Sequence, residues 1–405
     1  MKLPQGFRFA GVSAGIKSRQ GALDVTLIVS DSDCTAAGVY TTNQVVAAPV
    51  VVSRSRTPNE RFRGIVVNSG NANACTGSRG MNDAIEMGKI AARAVSAANP
   101  TQTAASEDQW IVMSTGIIGR FLPMDKVASG IEAAAKALAT GEQAYLNAAD
   151  GILTTDIARK IGDREVLLPS GKRVSIVGMA KGAGMIGPKM ATMLGCLITD
   201  AALSANQAQR LLQQAANRSF NCISVEGHTS TNDSLVLLAS RPTVESPALS
   251  QEDEQSFAIA LTEICIEIAK KIPDDGEGAT HLIEIDIDGA SNDADADKIA
   301  RSVAMSNLVK TAITGGDPNW GRIVSAVGYA GVPIRTEVLS LQLNGIHLFD
   351  KGEPLPFSAA EVSSSIKSKK LTKIELLVGY GAGKATHWTT DLNAEYVRFN
   401  SEYTT

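Results

Sequence analysis

Large aromatic side chains are scarce in this sequence: Phe, Trp and Tyr together make up only 4 % of it. An interior short of rings must be closed by small side chains. Ala, Gly and Val are abundant here, which suits the closely approaching layers of an α/β protein. Cysteine is also sparse. The five (Cys34, Cys75, Cys196, Cys222 and Cys265) are scattered, odd in number and contain no Cys-x-x-Cys pair. With only His228, His281, His347 and His387 beside them, the pattern argues against a disulfide framework and a zinc-ligand motif, so no metal and no cofactor are expected. No apolar run approaches the roughly 20 residues that span a bilayer. Met1-Lys2-Leu3-Pro4 leads into polar sequence without an apolar signal core, so a soluble, cytoplasmic protein with no membrane partner is expected. The net charge of −4 and the absence of a Lys/Arg cluster argue against nucleic acid as a partner.

The chain has 405 residues, too many for one ordinary core, and 44 % of them are hydrophobic. β-branched runs alternate with Ala-rich amphipathic stretches. Strands are expected at Val25–Val29, Val45–Val52, Gly64–Val67, Trp110–Met113, Arg173–Val177, Leu194–Ile198, Leu235–Ala239, Leu282–Ile287, Ile323–Val327, Leu341–Leu343 and Ile374–Val378. Helices are expected at Asn82–Ala97, Asp125–Ala139, Ala205–Asn217, Gln251–Lys271 and Asp297–Lys310. Ser204 with Gln207, and Ser358 with Glu361, have capping-box spacing. Connections are short and no low-complexity linker intervenes. The fold class expected is α/β, a layered sandwich of mixed sheets flanked by helices.

Gly182-Ala183-Gly184-Met185-Ile186-Gly187 matches G-x-G-x-x-G after a predicted strand. A dinucleotide fingerprint must open a long helix, whereas Pro188 and an apolar segment follow these glycines. The Gly379–Lys384 stretch likewise lacks P-loop spacing. The same glycines also suit a tight backbone turn ahead of Ala191-Thr192. A threonine hydroxyl is a weak nucleophile unless a base adjoins it. Cleavage before Thr192 would supply one as its own α-amine, which titrates at about 7.7–8.0.

Lys181–Ile186 and Ala191-Thr192-Met193-Leu194 together resemble the ornithine acetyltransferase family, the glutamate N-acetyltransferases of arginine biosynthesis. Asn68–Gly77, Ser114–Gly119, Leu153–Asp156, Thr229–Asp233, Asp275–Thr280 and Asp317–Arg322 extend the resemblance nearly end to end, in the family's order. The resemblance implies a self-processing, N-terminal-nucleophile-like architecture cut between Ala191 and Thr192. It would yield an α chain of residues 1–191 and a β chain of residues 192–405, assembled as a heterotetramer of two of each. It further implies ping-pong transfer of acetyl from N2-acetylornithine to glutamate through acetyl-Thr192. Thr115 and Gly116 would form the oxyanion hole. Thr154, Thr155, Lys181, Thr192, Glu277, Asn400 and Thr405 would bind substrate, with Thr154 and Thr155 left as alternatives and Thr155 preferred. Lys181 suits an α-carboxylate and Glu277 the δ-ammonium of ornithine. Whether acetyl-CoA is a second donor is left open. His228 stands where the family has an acidic residue, and Lys189 where it has Asn. A self-processing hydrolase, a nucleotide-binding oxidoreductase and a non-enzymatic scaffold are the rival classes.

Overall fold

The computed structural model describes residues 1–98, 105–187, 193–240 and 248–402. Two mixed sheets carry the architecture. The path of the first runs Trp110–Ile117, Asn59–Asn71, Val25–Tyr40, Ser234–Ser240, Leu194–Thr199, Arg173–Lys181 and Lys160–Leu167, with Phe7–Val12 paired to Val25–Tyr40. Two of its pairings are parallel, Asn59–Asn71 with Trp110–Ile117 and Leu194–Thr199 with Ser234–Ser240; the others are antiparallel. The path of the second is Glu353–Pro354, Ile346–Asp350, Ser340–Leu343, Leu371–Leu377, Leu282–Ala290, Gly383–Thr390 and Ile223–Ser224.

Alternation along the strands explains the layers, because successive side chains point to opposite faces. Leu235 and Leu237 pack into a cluster with helices Ala205–Asn217 and Gln251–Asp274, while Val236 and Leu238 join another that includes Tyr145 and Ala148 of helix Glu142–Gly151. Leu27 and Val29 meet residues of helices Gly77–Ala98 and Met124–Lys136, whereas Ile28 faces the Tyr145 side. A sheet buried on both faces reads as a continuous apolar run, which is the pattern of Leu194–Ile198 and Leu235–Ala239. The second sheet packs its Ile283, Ile285 and Ile374 against helices Asp293–Ala304, Trp320–Gly328 and Ala359–Lys367. The expected layered α/β sandwich is therefore observed.

Helix Ala205–Asn217 has the expected bounds and a complete Ser204/Gln207 capping box, and Ser358 caps Ala359–Lys367 by accepting the Glu361 N–H. Three expectations fail. Within the expected strand Val45–Val52 a helix begins, Ala48–Arg56, because Pro49 fits a first helical turn but would break a strand ladder. Ile323–Val327 lies in helix Trp320–Gly328, where Asn319 caps the Arg322 N–H and Ile323, Ala326 and Val327 share a buried face. The expected Asp297–Lys310 helix is two, Asp293–Ala304 and Asn307–Gly315: the first closes on its C-cap Met305, and Ser306 caps the second by accepting the Val309 N–H. Strands Phe7–Val12, Lys160–Leu167 and Gly383–Thr390 were not expected; in the last two, polar or small residues take buried positions (Lys160 and Gly162, His387 and Thr389) while Leu167 is exposed, so no apolar alternation marks them.

Candidate active site

Strand Trp110–Ile117 runs parallel to Asn59–Asn71, with Thr115 opposite Ser69 and Gly116 opposite Gly70. Gly116 has φ +130°, and a Cβ there would lie 2.3 Å from the Gly70 carbonyl carbon, so only glycine fits. Asparagines brace this strand end. Asn68 accepts from the Ser114 hydroxyl at 2.6 Å, and Asn232 donates to the Ala72 and Ser114 carbonyls at 2.6 and 2.8 Å. The Asn68–Thr76 loop is thus both a support and, through Gly70, Asn71 and Ala72, part of a cavity wall.

That cavity, about 1270 Å³, is lined by Thr115, Gly116, Thr154, Thr155, Lys181, Glu277 and Asn400, seven of the ten residues singled out in the sequence. The remaining three, Ala191, Thr192 and Thr405, lie outside the described residues, as does Lys189. Glu277 is positioned by contacts from several segments. Thr155 Oγ1 donates to its Oε1 at 2.8 Å, Asn400 Nδ2 to its Oε2 at 3.1 Å, and its own N–H to the Ala183 carbonyl at 2.9 Å. Gly184 packs directly on it: a Cβ would approach the Glu277 carboxyl carbon to 2.4 Å. The glycines after Arg173–Lys181 therefore make room for a carboxylate, and among the described residues no helix starts from them. The next described element is strand Leu194–Thr199, which removes the dinucleotide geometry. In the other glycine stretch Lys384 pairs with Asp288 at 2.9 Å.

Lys181 is buried at 2 % exposure and lines the same cavity. Burial depresses its pKa, and the neighbouring charges of Asp156 and Asp233 oppose that shift. Asp156 is reached by Lys160, which also contacts Asp275; Asp156 further accepts the Gly182 N–H at 2.7 Å and the Thr154 N–H at 2.9 Å. Lys160, Lys181 and the Gly182 N–H hold the Asp156 carboxyl below its ordinary range despite burial. This cluster ties the Thr154–Lys160 segment to the turn carrying Glu277. Leu153–Asp156 signalled it in the sequence, but nothing there revealed Lys160 as its counter-charge.

Asp233 is fully buried; its Oδ1 accepts the Met193 N–H at 3.1 Å, and burial pushes its pKa up to about 7. Glu226 is likewise raised by burial, to about 8, beside Lys310, whose pKa burial lowers. His228 is mostly exposed, with Nδ1 3.6 Å from Glu226 Oε1. Cys222, Asp297 and His387, distant in sequence, also converge. Asp297 there already joins His387 Nε2 at 2.8 Å and Arg301 at 2.9 Å, a guanidinium that answers the carboxylate charge without an ion. No described helix is long and apolar enough to cross a membrane.

The sequence profile described as the ArgJ family matches residues 8–405. The arginine biosynthesis bifunctional protein ArgJ of Rhodopirellula baltica is 49 % identical over 405 residues, covering 100 % of this chain and 96 % of its own. Its counterpart from Symbiobacterium thermophilum is 44 % identical, covering 99 % and 98 %. Among solved structures, ArgJ from Bacillus halodurans aligns at 38 % identity with a TM-score of 0.47, over 50 % of this chain and 96 % of that one. Ornithine acetyltransferase from Mycobacterium tuberculosis, solved with ornithine, aligns at 36 % identity with a TM-score of 0.40, over 47 % and 94 %.

Proposed function

The chain belongs to the ArgJ family of arginine-biosynthesis acetyltransferases, and from that premise we propose that it cuts itself between Ala191 and Thr192 and moves acetyl from N2-acetylornithine to glutamate by a ping-pong route. The observation that supports this reading is the single cavity that Thr115, Gly116, Thr155, Lys181, Glu277 and Asn400 share.

In the proposed cycle the Thr192 amine takes the hydroxyl proton as Oγ1 attacks the acetyl carbonyl. The oxygen of the tetrahedral intermediate accepts from the Thr115 hydroxyl and the Gly116 N–H. Such donors contribute about 3–4 kcal/mol each when aimed at the developing charge. The ammonium returns its proton to the departing α-nitrogen, the C–N bond breaks, and ornithine leaves acetyl-Thr192 behind. Glutamate's amine then attacks the ester and the same steps run in reverse. Lys181, shielded from water, pairs with the α-carboxylate common to both amino acids. Glu277 receives the δ-ammonium of ornithine. Thr155 orients Glu277, and the Thr154 hydroxyl beside it is the freer of the two to meet substrate.

Denaturing intact mass of the purified protein, before and after mixing with N2-acetylornithine, tests the proposal. Two chains divided before Thr192, the C-terminal one gaining a single acetyl group, are expected, and Thr192→Ala should purify uncut. A cut chain that never gains acetyl would point to a hydrolase. An uncut wild type would remove Thr192 from the mechanism.

A further inference from the structure

In the proposed cycle Glu277 receives the δ-ammonium of ornithine, and the same carboxylate opposes the side chain of glutamate. With Lys181 on the α-carboxylate of both amino acids, side chains of opposite charge need different receivers. Besides Lys181, the cations lining the cavity are Lys17, Arg19, Arg120 and Lys126. Arg19, Arg120 and Lys126 are exposed, and Lys126 already donates to the Gly15 carbonyl at 2.7 Å. Lys17 alone of these is partly buried.

The loop that carries Lys17 is fixed by a buried carboxylate. Asp24, 0 % exposed, accepts the Ala14 and Ile16 N–H groups at 2.6 Å each and the Lys17 N–H at 3.1 Å. Its carbonyl accepts the Ser69 N–H at 2.9 Å, which ties the loop to the strand end bearing Gly70. A Cβ on Gly70 would lie 3.1 Å from Lys17 Cγ, so the lysine stem passes over the residue opposite Gly116. Lys17 thus reaches the cavity from the side of the proposed oxyanion hole, whereas Glu277 stands on Gly184 with Thr155 and Asn400. The carboxylates that act on its charge are answered by other groups: Asp24 by these N–H donors, Asp156 by Lys160 and Asp150 by the Arg159 guanidinium. Its ammonium donates to the Leu23 carbonyl, which leaves its remaining N–H donors for a ligand. Burial lowers its pKa to about 8, so it is still mostly charged at neutrality, with Lys181 adding a like charge that favours an incoming anion.

We infer that Lys17 is the specificity-determining residue for the acetyl acceptor, its ammonium holding the side-chain carboxylate of glutamate that Glu277 would repel. The inference rests on the reading of this cavity as the site of acetyl transfer. From one shared α-carboxylate anchor, ornithine extends to Glu277 and glutamate to Lys17.

The test is the decay of acetyl-enzyme, preformed with N2-acetylornithine, on mixing with glutamate or its uncharged analogue glutamine, followed by intact mass in wild type and Lys17→Met. The preference for glutamate over glutamine, as a ratio of second-order rate constants, should fall about 10–100-fold, the loss expected when a carboxylate forfeits a charge-assisted partner. Transfer back to ornithine should slow far less. A preference that survives in Lys17→Met overturns the inference, while normal acetyl transfer by wild type leaves the function intact. A wild type that never takes up acetyl would remove the transfer reading and this inference with it. If Lys17→Met purifies uncut or unfolded, wild type decides instead. N-acetylglutamate should shield Lys17 from reductive methylation, read by peptide mass, and N-acetylglutamine should not; equal labelling under both overturns the inference.

Discussion

Gly116 carries two demands at one backbone position. Its φ of +130° is closed to side chains, and the Gly70 backbone occupies the space a Cβ would need. The N–H proposed for the oxyanion hole belongs to that same residue, so strain from a side chain would rotate the donor away from its target. Gly116→Ala should lower kcat by about 10²–10³-fold, the usual cost of one such donor, with a much smaller change in KM. Steady-state kinetics with N2-acetylornithine would check this. A normal kcat in a folded Gly116→Ala protein would mean that the donor lies elsewhere.

The Thr154–Lys160 segment is held by charge rather than by apolar packing. Lys160, 1 % exposed, lies between Asp156 and Asp275, and Asp275 also accepts the Ile157 N–H at 3.0 Å. Removing the cation from a buried ion cluster typically costs about 3–5 kcal/mol because the carboxylates stay buried without it. Lys160→Met should lower the melting temperature at neutral pH accordingly. The sign of its pH dependence follows from Asp156, whose folded pKa is depressed below 3.8. Its stabilisation is present above that value and lost as pH falls through the folded one. Wild type should therefore lose stability on strong acidification, whereas in Lys160→Met the carboxyls protonate sooner and the deficit narrows. Calorimetric melts of both proteins across acid pH would show the two curves converging; parallel curves would contradict the ion cluster.

Strands Leu194–Thr199 and Ser234–Ser240 lie between Val25–Tyr40 and Arg173–Lys181 in the first sheet, so segments from both sides of the proposed cut alternate within one layer. Their side chains reach both apolar clusters of that sheet. Cutting one peptide bond removes none of these hydrogen bonds and exposes none of this core. After processing, residues 1–191 and 192–405 should co-elute as one native species and separate only in denaturant. Size-exclusion chromatography with mass detection would read this, and free fragments under native conditions would contradict the interleaved sheet.

The sequence by itself determined the layered α/β class and helix Ala205–Asn217 with its cap, because both depend on local periodicity and capping chemistry. The ordered motifs likewise indicated the family, and Thr115, Gly116, Lys181 and Glu277 could be picked out within them. Only the tertiary structure decided that the valine run around Pro49 ends in a helix and that Asn307–Gly315 is a separate helix. It also decided that the glycines after Lys181 seat a carboxylate rather than a phosphate. The grip of Asp233 on Met193 and the pairing of Lys160 with Asp275 join residues 40 and 115 positions apart. No local pattern encodes such partners, since burial and charge pairing are set by which strands the sheet brings side by side.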